Sequence, residues 1–544
     1  MSKSRSKASS TLPFLLSTLA ILSCQSRVGE TDCTYGETCS HYPRAFLTVA
    51  PETEGENADL YGVSWASDSI FSTKQVVEVY THKSGSSSEG YKDLWGPSAI
   101  ASATPTNDDS QGYFYVTGAL ENTIAVIEKN FFSAFATLKS DQGISCNNSV
   151  SECDTSCQSS CYSRALSATS PISKVFRRSD FGHSYEVPIE TLLAKPMDVV
   201  TWSREDAILI FVASRDGDQV SIFKQNNIID TSTEEITLSY FGDIATEGPA
   251  RLALLDPDPS DDEAQLVVMG ASENQSCPDL AKLEAGELSD DELREDFLSI
   301  FNIVIEEDGL KTPTRKLVEM RSGSCYGISN CTENTALRGL WGMTALSETS
   351  GTTLFASNRC NNSILELGVN YETALSVTTV GLSHDRTYSL SDASIFEGCE
   401  AGPDNLGFKG IAANSNYVYV ASWETGYLLE WPRGDSALEL PNAICAIGGR
   451  CSLNKCTDVN ANWYLRNDAT AHFYKGEKRL QDTMRPFPHT LQLESGKLYF
   501  SLDRNSQMGV CTVAVTDDST TKSMMPSELG LTSATSLSEC EVLQ

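Results

Sequence analysis

Cysteines, histidines and clustered carboxylates are the residues of this 544-residue chain whose types could do chemistry. Thiolates at short spacing can hold zinc. The local cysteine groups are Cys33/Cys39, Cys146/Cys153/Cys157/Cys161, Cys325/Cys331, Cys445/Cys451/Cys456 and Cys511/Cys540. No CxxC occurs, and no CxxCH, which excludes attachment of c-type haem. The six histidines are His41, His82, His183, His384, His472 and His489, and no two stand at metal-ligand spacing. His384 and Asp385 are contiguous, but adjacent side chains usually face apart, so His384 reads as a loop residue. The acidic run Asp256, Asp258, Asp261, Asp262, Glu263 offers hard oxygens suited to calcium. It lacks the glycine and spacing of an EF-hand, Pro257 and Pro259 stiffen it, and it reads as a solvated loop. Arg215-Asp216-Gly217-Asp218 reads as a hairpin turn. There is no GxSxG, HExxH, P-loop or GxGxxG. No catalytic residue, metal ligand or cofactor is therefore assigned, although a triad assembled from distant residues would leave no local trace.

Charge narrows the partners. The chain has 40 Lys+Arg against 73 Asp+Glu, a net charge of −33. Phosphate binding needs clustered cations, so nucleic acid is excluded as a partner. The length suits either three domains or one large repeat domain.

The N-terminus carries Lys3, Arg5 and Lys7 ahead of an apolar run over residues 11–23, too short to span a bilayer. The run ends Ile21-Leu22-Ser23-Cys24. An aliphatic residue three before the cysteine and a small one just before it resemble a bacterial lipobox, although Leu22 is bulkier than usual. The resemblance implies a signal peptide over residues 1–23, cleavage before Cys24, diacylglycerol on its sulfur and a further acyl chain on its new amine. Two or more chains anchor a protein stably, at about 0.8 kcal/mol per buried CH₂. By a sorting rule of such lipoproteins, Gln25 implies passage to an outer membrane. The expected address is thus the bacterial cell envelope, with membrane contact through the lipid anchor only. Ordinary signal cleavage, with Cys24 in a disulfide, is the alternative. Sixteen cysteines remain after Cys24, and an oxidising compartment would pair them as disulfides. Loss of residues 1–23 takes the charge from −33 to −36.

Self-similarity is the strongest signal along the chain. A short apolar strand, a polar turn and a second apolar strand recur at 113–127, 208–223, 354–367, 417–431 and 498–515. Residues 266–269 fit the same pattern, with a partner at 298–305 beyond a long insertion. Upstream of each pair stands a lead-in of the form P/L-x-x-apolar-small, and residues 60–64 add a seventh. Its second positions are Tyr61, Ser98, Met197, Ala250, Trp341, Lys409 and His489. The unit is roughly 40–50 residues plus insertions, the length of a propeller blade.

The segments TGALENTIAVIEK and ASRDGDQVSIFKQ resemble blades of NHL- and YVTN-type β-propellers. The resemblance covers most of residues 45–544 and implies an all-β propeller, with seven blades expected and eight the alternative. An antiparallel sandwich is the competing all-β fold. A tether occupies residues 24–44. One insertion, at about 141–165, is cysteine-rich. The other, at about 272–297, contains a helix start at Ser289 with Glu292 three residues on.

Two functions are compatible with this reading. One is a binding or scaffold propeller for a protein, peptide or glycan. The other is a lactonase- or lyase-type enzyme using residues such as Asp198, Arg251 and His489 at the central channel. Binding is the preferred reading. In such propellers the lead-in enters the innermost strand, so its second positions should ring one mouth of the channel. Tyr61, Trp341, Lys409 and His489 are then expected to bind an acidic or sugar-like ligand. The bland alternative is that each fills a gap between blades.

Overall fold

The computed structural model describes, between residues 45 and 543, the strands and the short turns beside them. Outside the description lie, among others, residues 1–44, 129–171, 271–295, 390–406, 447–486 and 513–539. The signal peptide, Cys24, the tether, the cysteine-rich insertion and the helix start at Ser289 all fall there.

Seven sheets follow one another along the described chain, antiparallel but for one short parallel pair in the fifth. We number them 1 to 7. Their first strands are Ala45–Val49, Pro97–Ala103, Pro196–Ser203, Pro249–Leu255, Leu340–Glu348, Phe408–Ala413 and Phe487–Glu494. Within each sheet the strands pair in chain order from this strand outward, except that in sheet 5 the short strand Ile328–Ser329, earlier in the chain, adds at the outer edge, and in sheet 4 Gly309–Leu310 pairs off the main path. First strands of successive sheets pack against one another through the whole series. Sheets that pair meander-fashion and touch by their first strands are arranged radially, and the fold is a β-propeller. The strand pair 266–269 and 298–305 forms as expected across its insertion, within Glu263–Gly270 and Phe297–Glu306.

The apolar runs follow from this arrangement. Every residue of the second strand of sheet 3, Ala207–Ser214, is buried. Ile208, Ile210 and Val212 join a cluster with Tyr115, Ile124 and Val126 of sheet 2. Leu209, Phe211 and Ala213 join another with Leu266, Val268 and Phe301 of sheet 4. A third cluster joins sheets 4 and 5. Both faces of a middle strand are thus covered, so alternation gives way to a continuous apolar stretch. Each of the Val, Leu, Ile and Phe side chains among them contributes roughly 1.5–3 kcal/mol by burial.

A repeated polar clasp fixes where sheets 3, 4 and 5 begin. The residue just before a third strand is Asn122, Asp218 or Asp296. Asn122 Oδ1 accepts the Lys195 amide at 2.7 Å, and Asp218 Oδ1 accepts that of Gly248 at 2.8 Å. Asp296 Oδ2 accepts the amides of Gly339 and Leu340. Each donor stands at or directly before the first strand of the next sheet. Lys195, Gly248, Gly339 and Gly407 share a left-handed backbone there, with φ of 50°, 46°, 65° and 62°. Glycine adopts this conformation without a steric cost, which explains three of the four.

Candidate functional site

Near the start of the first strand, its pairing with the second strand is interrupted in sheets 2 to 7. The first strand carries one extra residue at that point, a β-bulge. The interrupted residues are Ser98, Met197 with Asp198, Ala250, Trp341 with Gly342, Lys409 with Gly410, and His489 with Thr490. Six of the seven lead-in positions are therefore bulge residues near the starts of the first strands.

Tyr61 is the exception and corrects the expected ring. It lies on Asp59–Trp65, the middle strand of sheet 1, opposite Leu47 and Glu78. The first strand of that sheet is Ala45–Val49, and its pairing with Asp59–Trp65 is uninterrupted. The segment 60–64 mimics a lead-in by alternation alone, and the residue before it is Asp59 rather than a glycine.

Two of the predicted residues meet. Lys409 is 2% exposed, and its Nζ lies 4.3 Å from the centroid of the Trp341 indole. The Arg359 guanidinium, in the turn after the second strand of sheet 5, stands 5.8 Å from the same ring. Arg251 Nε donates to the Trp341 carbonyl at 3.4 Å. Lys409 of sheet 6 and Arg359 of sheet 5 thus face one half-buried indole, and Arg251 of sheet 4 holds the backbone carbonyl of the same residue. A buried cation over tryptophan gains up to ~2 kcal/mol from the ring quadrupole. His489 holds the equivalent bulge position in sheet 7, by backbone register alone.

Close approach of the backbones makes this contact possible. A Cβ built on Gly342 would lie 2.2 Å from the Lys409 carbonyl oxygen. Ser357 Oγ accepts the Gly342 amide at 2.9 Å and donates to the Lys409 carbonyl at 2.6 Å. Ser98 Oγ makes a similar link, donating to the Pro196 carbonyl of the next sheet at 2.5 Å.

The belt continues to Asp198. Its carboxylate accepts the Val199 amide at 2.9 Å and the Leu252 amide at 2.8 Å. Burial raises its pKa, while the Arg251 charge and those two amides pull it back. A carboxyl held above its usual range beside an arginine can donate or accept a proton nearer neutrality.

The opposite ends of the strands hold a second polar cluster. Arg433 follows the third strand of sheet 6 and reaches sheet 5. It donates to Glu348 Oε1 and Oε2 at 3.2 and 3.3 Å, and to Glu366 Oε1 at 3.3 and 3.2 Å. It also reaches the Asn414 and Ser415 carbonyls. The Tyr388 hydroxyl donates to Glu366 Oε2 at 2.5 Å. Burial, then that carboxylate, raise the Tyr388 pKa. An open cleft of about 340 Å³ lies here, lined by Glu366, Asp385, Arg386, Ser415 and Arg433. Asp385 is exposed, and His384 bonds Thr387 at 2.8 Å on the outermost long strand, Val377–Ser389.

Among the described residues no group of three or more His, Cys, Asp or Glu could hold a metal ion. Nor is any described helix long and apolar enough to cross a membrane. Arg359 and Asp296 escaped the sequence reading. Their positions, directly after a second strand and directly before a third, are the signal that could have found them.

No protein-family model matches the chain, and no curated protein does. Among solved structures it is similar to streptogramin B lyase, at 11% identity over 76% of this chain and 79% of that one, with a TM-score of 0.34. A protein from Lactobacillus plantarum matches at 8% identity over 86% and 92%, with a TM-score of 0.36. Apo AztD from Citrobacter koseri matches at 10% identity over 86% and 91%, with a TM-score of 0.33. The propeller assignment rests on the strand topology, and these similarities add nothing to the site.

Proposed function

We propose that the chain is a lipid-anchored, extracytoplasmic seven-bladed propeller that binds an acidic ligand at the bulge mouth. The observation that carries the binding reading is the convergence of Lys409, Arg359 and Arg251 on Trp341. An acidic chain has gathered cations from three sheets at one tryptophan, two against its ring and one on its carbonyl. Such a group suits a ligand with a carboxylate or other anionic group attached to a flat or ring-shaped body. His489 is the next bulge residue along the ring and extends the same arc. Tyr61 is left out of this site because it stands on a middle strand. The lipobox-like segment ending in Cys24 supports the anchor, and the seven successive sheets support one blade each.

A thermal-shift screen of uronic acids, citrate and phosphate against their neutral counterparts tests the binding reading. Acidic compounds should stabilise the wild type, less so at high salt. Trp341→Ala and Lys409→Met should lose that shift. Equal shifts in wild type and both variants would overturn it. Detergent partitioning tests the anchor. The wild type should enter the detergent phase and Cys24→Ser should not; wild type wholly in the aqueous phase would overturn it.

Asp198 favours a second reading, an enzyme of lyase or lactonase type. A carboxyl with a raised pKa beside Arg251 at the channel mouth could act as general acid or base. Turnover of a lactone or glycosidic acid that Asp198→Asn abolishes while ligand binding persists would establish it over simple binding.

A further inference from the structure

The last strand of sheet 7, Cys540–Leu543, lies at the sheet's edge and pairs with Gln507–Thr512. Its register sets Met508 opposite Leu543, Gly509 opposite Val542, Val510 opposite Glu541 and Cys511 opposite Cys540. Residues directly opposed in an antiparallel ladder have Cα atoms about 4.5 or 5.5 Å apart. Both spacings lie inside the roughly 4.4–6.8 Å window that a disulfide requires. The other cysteines on described strands lack such a partner: Cys325 is opposite Met320, and Cys445 is opposite Leu428. Cysteine counting groups Cys511 with Cys540 but leaves the pairing of sixteen thiols open. The register removes that freedom at this one site.

We propose that Cys511 and Cys540 form a cross-strand disulfide that fastens the C-terminal edge strand to sheet 7. The reaction is thiol–disulfide exchange with a small-molecule disulfide as oxidant. The Cys511 thiolate attacks one sulfur of R–S–S–R and expels one thiolate, giving a mixed disulfide. The Cys540 thiolate then displaces the second. Two cysteine thiols are oxidised, one R–S–S–R is reduced to two R–SH, and the two cysteine protons end on the released thiols. The strand spans only four residues and returns after a long connection, from residue 513 to residue 539. Closing that loop removes chain entropy from the unfolded state, so the bond holds an edge that four residues of ladder alone would hold poorly. This inference is independent of the ligand and of the membrane anchor.

The test uses the mature full-length chain equilibrated in a buffer of oxidised and reduced glutathione, digested without reduction and mapped by mass spectrometry. A linked peptide pair carrying Cys511 and Cys540 is expected. Recovery of either sulfur as a free thiol, or joined to another cysteine, would overturn the proposal. A second measurement compares melting temperatures. The Cys511→Ala, Cys540→Ala double variant should melt lower than oxidised wild type by roughly 2 °C or more. The gap should close when both proteins are reduced. A gap that persists unchanged under reduction would also overturn the proposal, because it would trace to lost packing rather than to a bond.

Discussion

Removing the Arg433 guanidinium should weaken the junction between sheets 5 and 6 more than a typical surface substitution would. The Arg433 side chain is only 11% exposed, and its partners Glu366 and Glu348 are 10% and 22% exposed. In Arg433→Met both carboxylates lose their cation, the Asn414 and Ser415 carbonyls lose a donor, and Glu366 keeps the Tyr388 hydroxyl. Removing one partner of a buried ion pair costs about 3–5 kcal/mol, because the other charge is left uncompensated. Partial exposure of Glu348 lets water take up part of its charge, so the lower end, about 3 kcal/mol, is expected. Urea denaturation followed by tryptophan fluorescence at neutral pH would measure it through the midpoint. Glu366→Gln supplies the control. In the Arg433→Met background it removes the stranded charge, so the double variant should be more stable than the sum of the two single losses, by about 1–2 kcal/mol. A loss below about 1 kcal/mol in Arg433→Met would refute this account. So would two losses that add within about 0.5 kcal/mol, because the network would then be ornamental.

Gly342→Ala should destabilise the protein by about 1–3 kcal/mol, since its Cβ would meet the Lys409 carbonyl at 2.2 Å; a melting temperature equal to wild type would contradict the close approach. Asp218→Ala removes one clasp and should cost about 1 kcal/mol, with faster amide exchange at Gly248 as the local readout. Asp198 sets a pH dependence of defined sign. Its folded pKa is raised, so the folded state holds the proton more tightly than the unfolded chain. Acidification into the window between the ordinary carboxylate value and the raised one therefore adds stability, and rising pH removes it. Melting temperatures between pH 7 and pH 4 should show this increment in wild type and lack it in Asp198→Asn; identical slopes would contradict it.

The hairpins were legible for a physical reason. Second and third strands are covered on both faces, so they must be apolar throughout, as in residues 208–212 and 417–421. Most lead-ins were legible because proline or a bulky apolar residue opens the first strand and the bulge follows at a fixed distance. Sheet 1 was misread because alternation at 60–64 carries no mark of strand rank. The distinguishing mark is the left-handed residue before the strand, present at Gly339 and Gly407 and replaced by Asp59 at the misread segment. Arg359 was not legible, because one arginine in a polar turn looks like any solvated turn residue. Its proximity to Trp341 exists only once the turn folds back over the bulge.

The division of labour along each first strand explains why this mouth is where chemistry can vary. The clasp acceptors Asn122, Asp218 and Asp296 are all short side chains bearing a carbonyl or carboxylate oxygen, because each must reach a backbone amide at one fixed place. A bulge residue is released from the ladder, so the fold sets its backbone but not its side chain. The side chains differ accordingly. Sheets 2 to 4 place Ser98, Met197 and Ala250 there, whereas sheets 5 to 7 place Trp341, Lys409 and His489. If these residues only filled gaps between equivalent sheets, sizes and charges would be expected to match around the ring. The proposed binding role rests on their concentration on one arc, with Lys409 and Arg359 against the Trp341 indole and Arg251 on the Trp341 carbonyl.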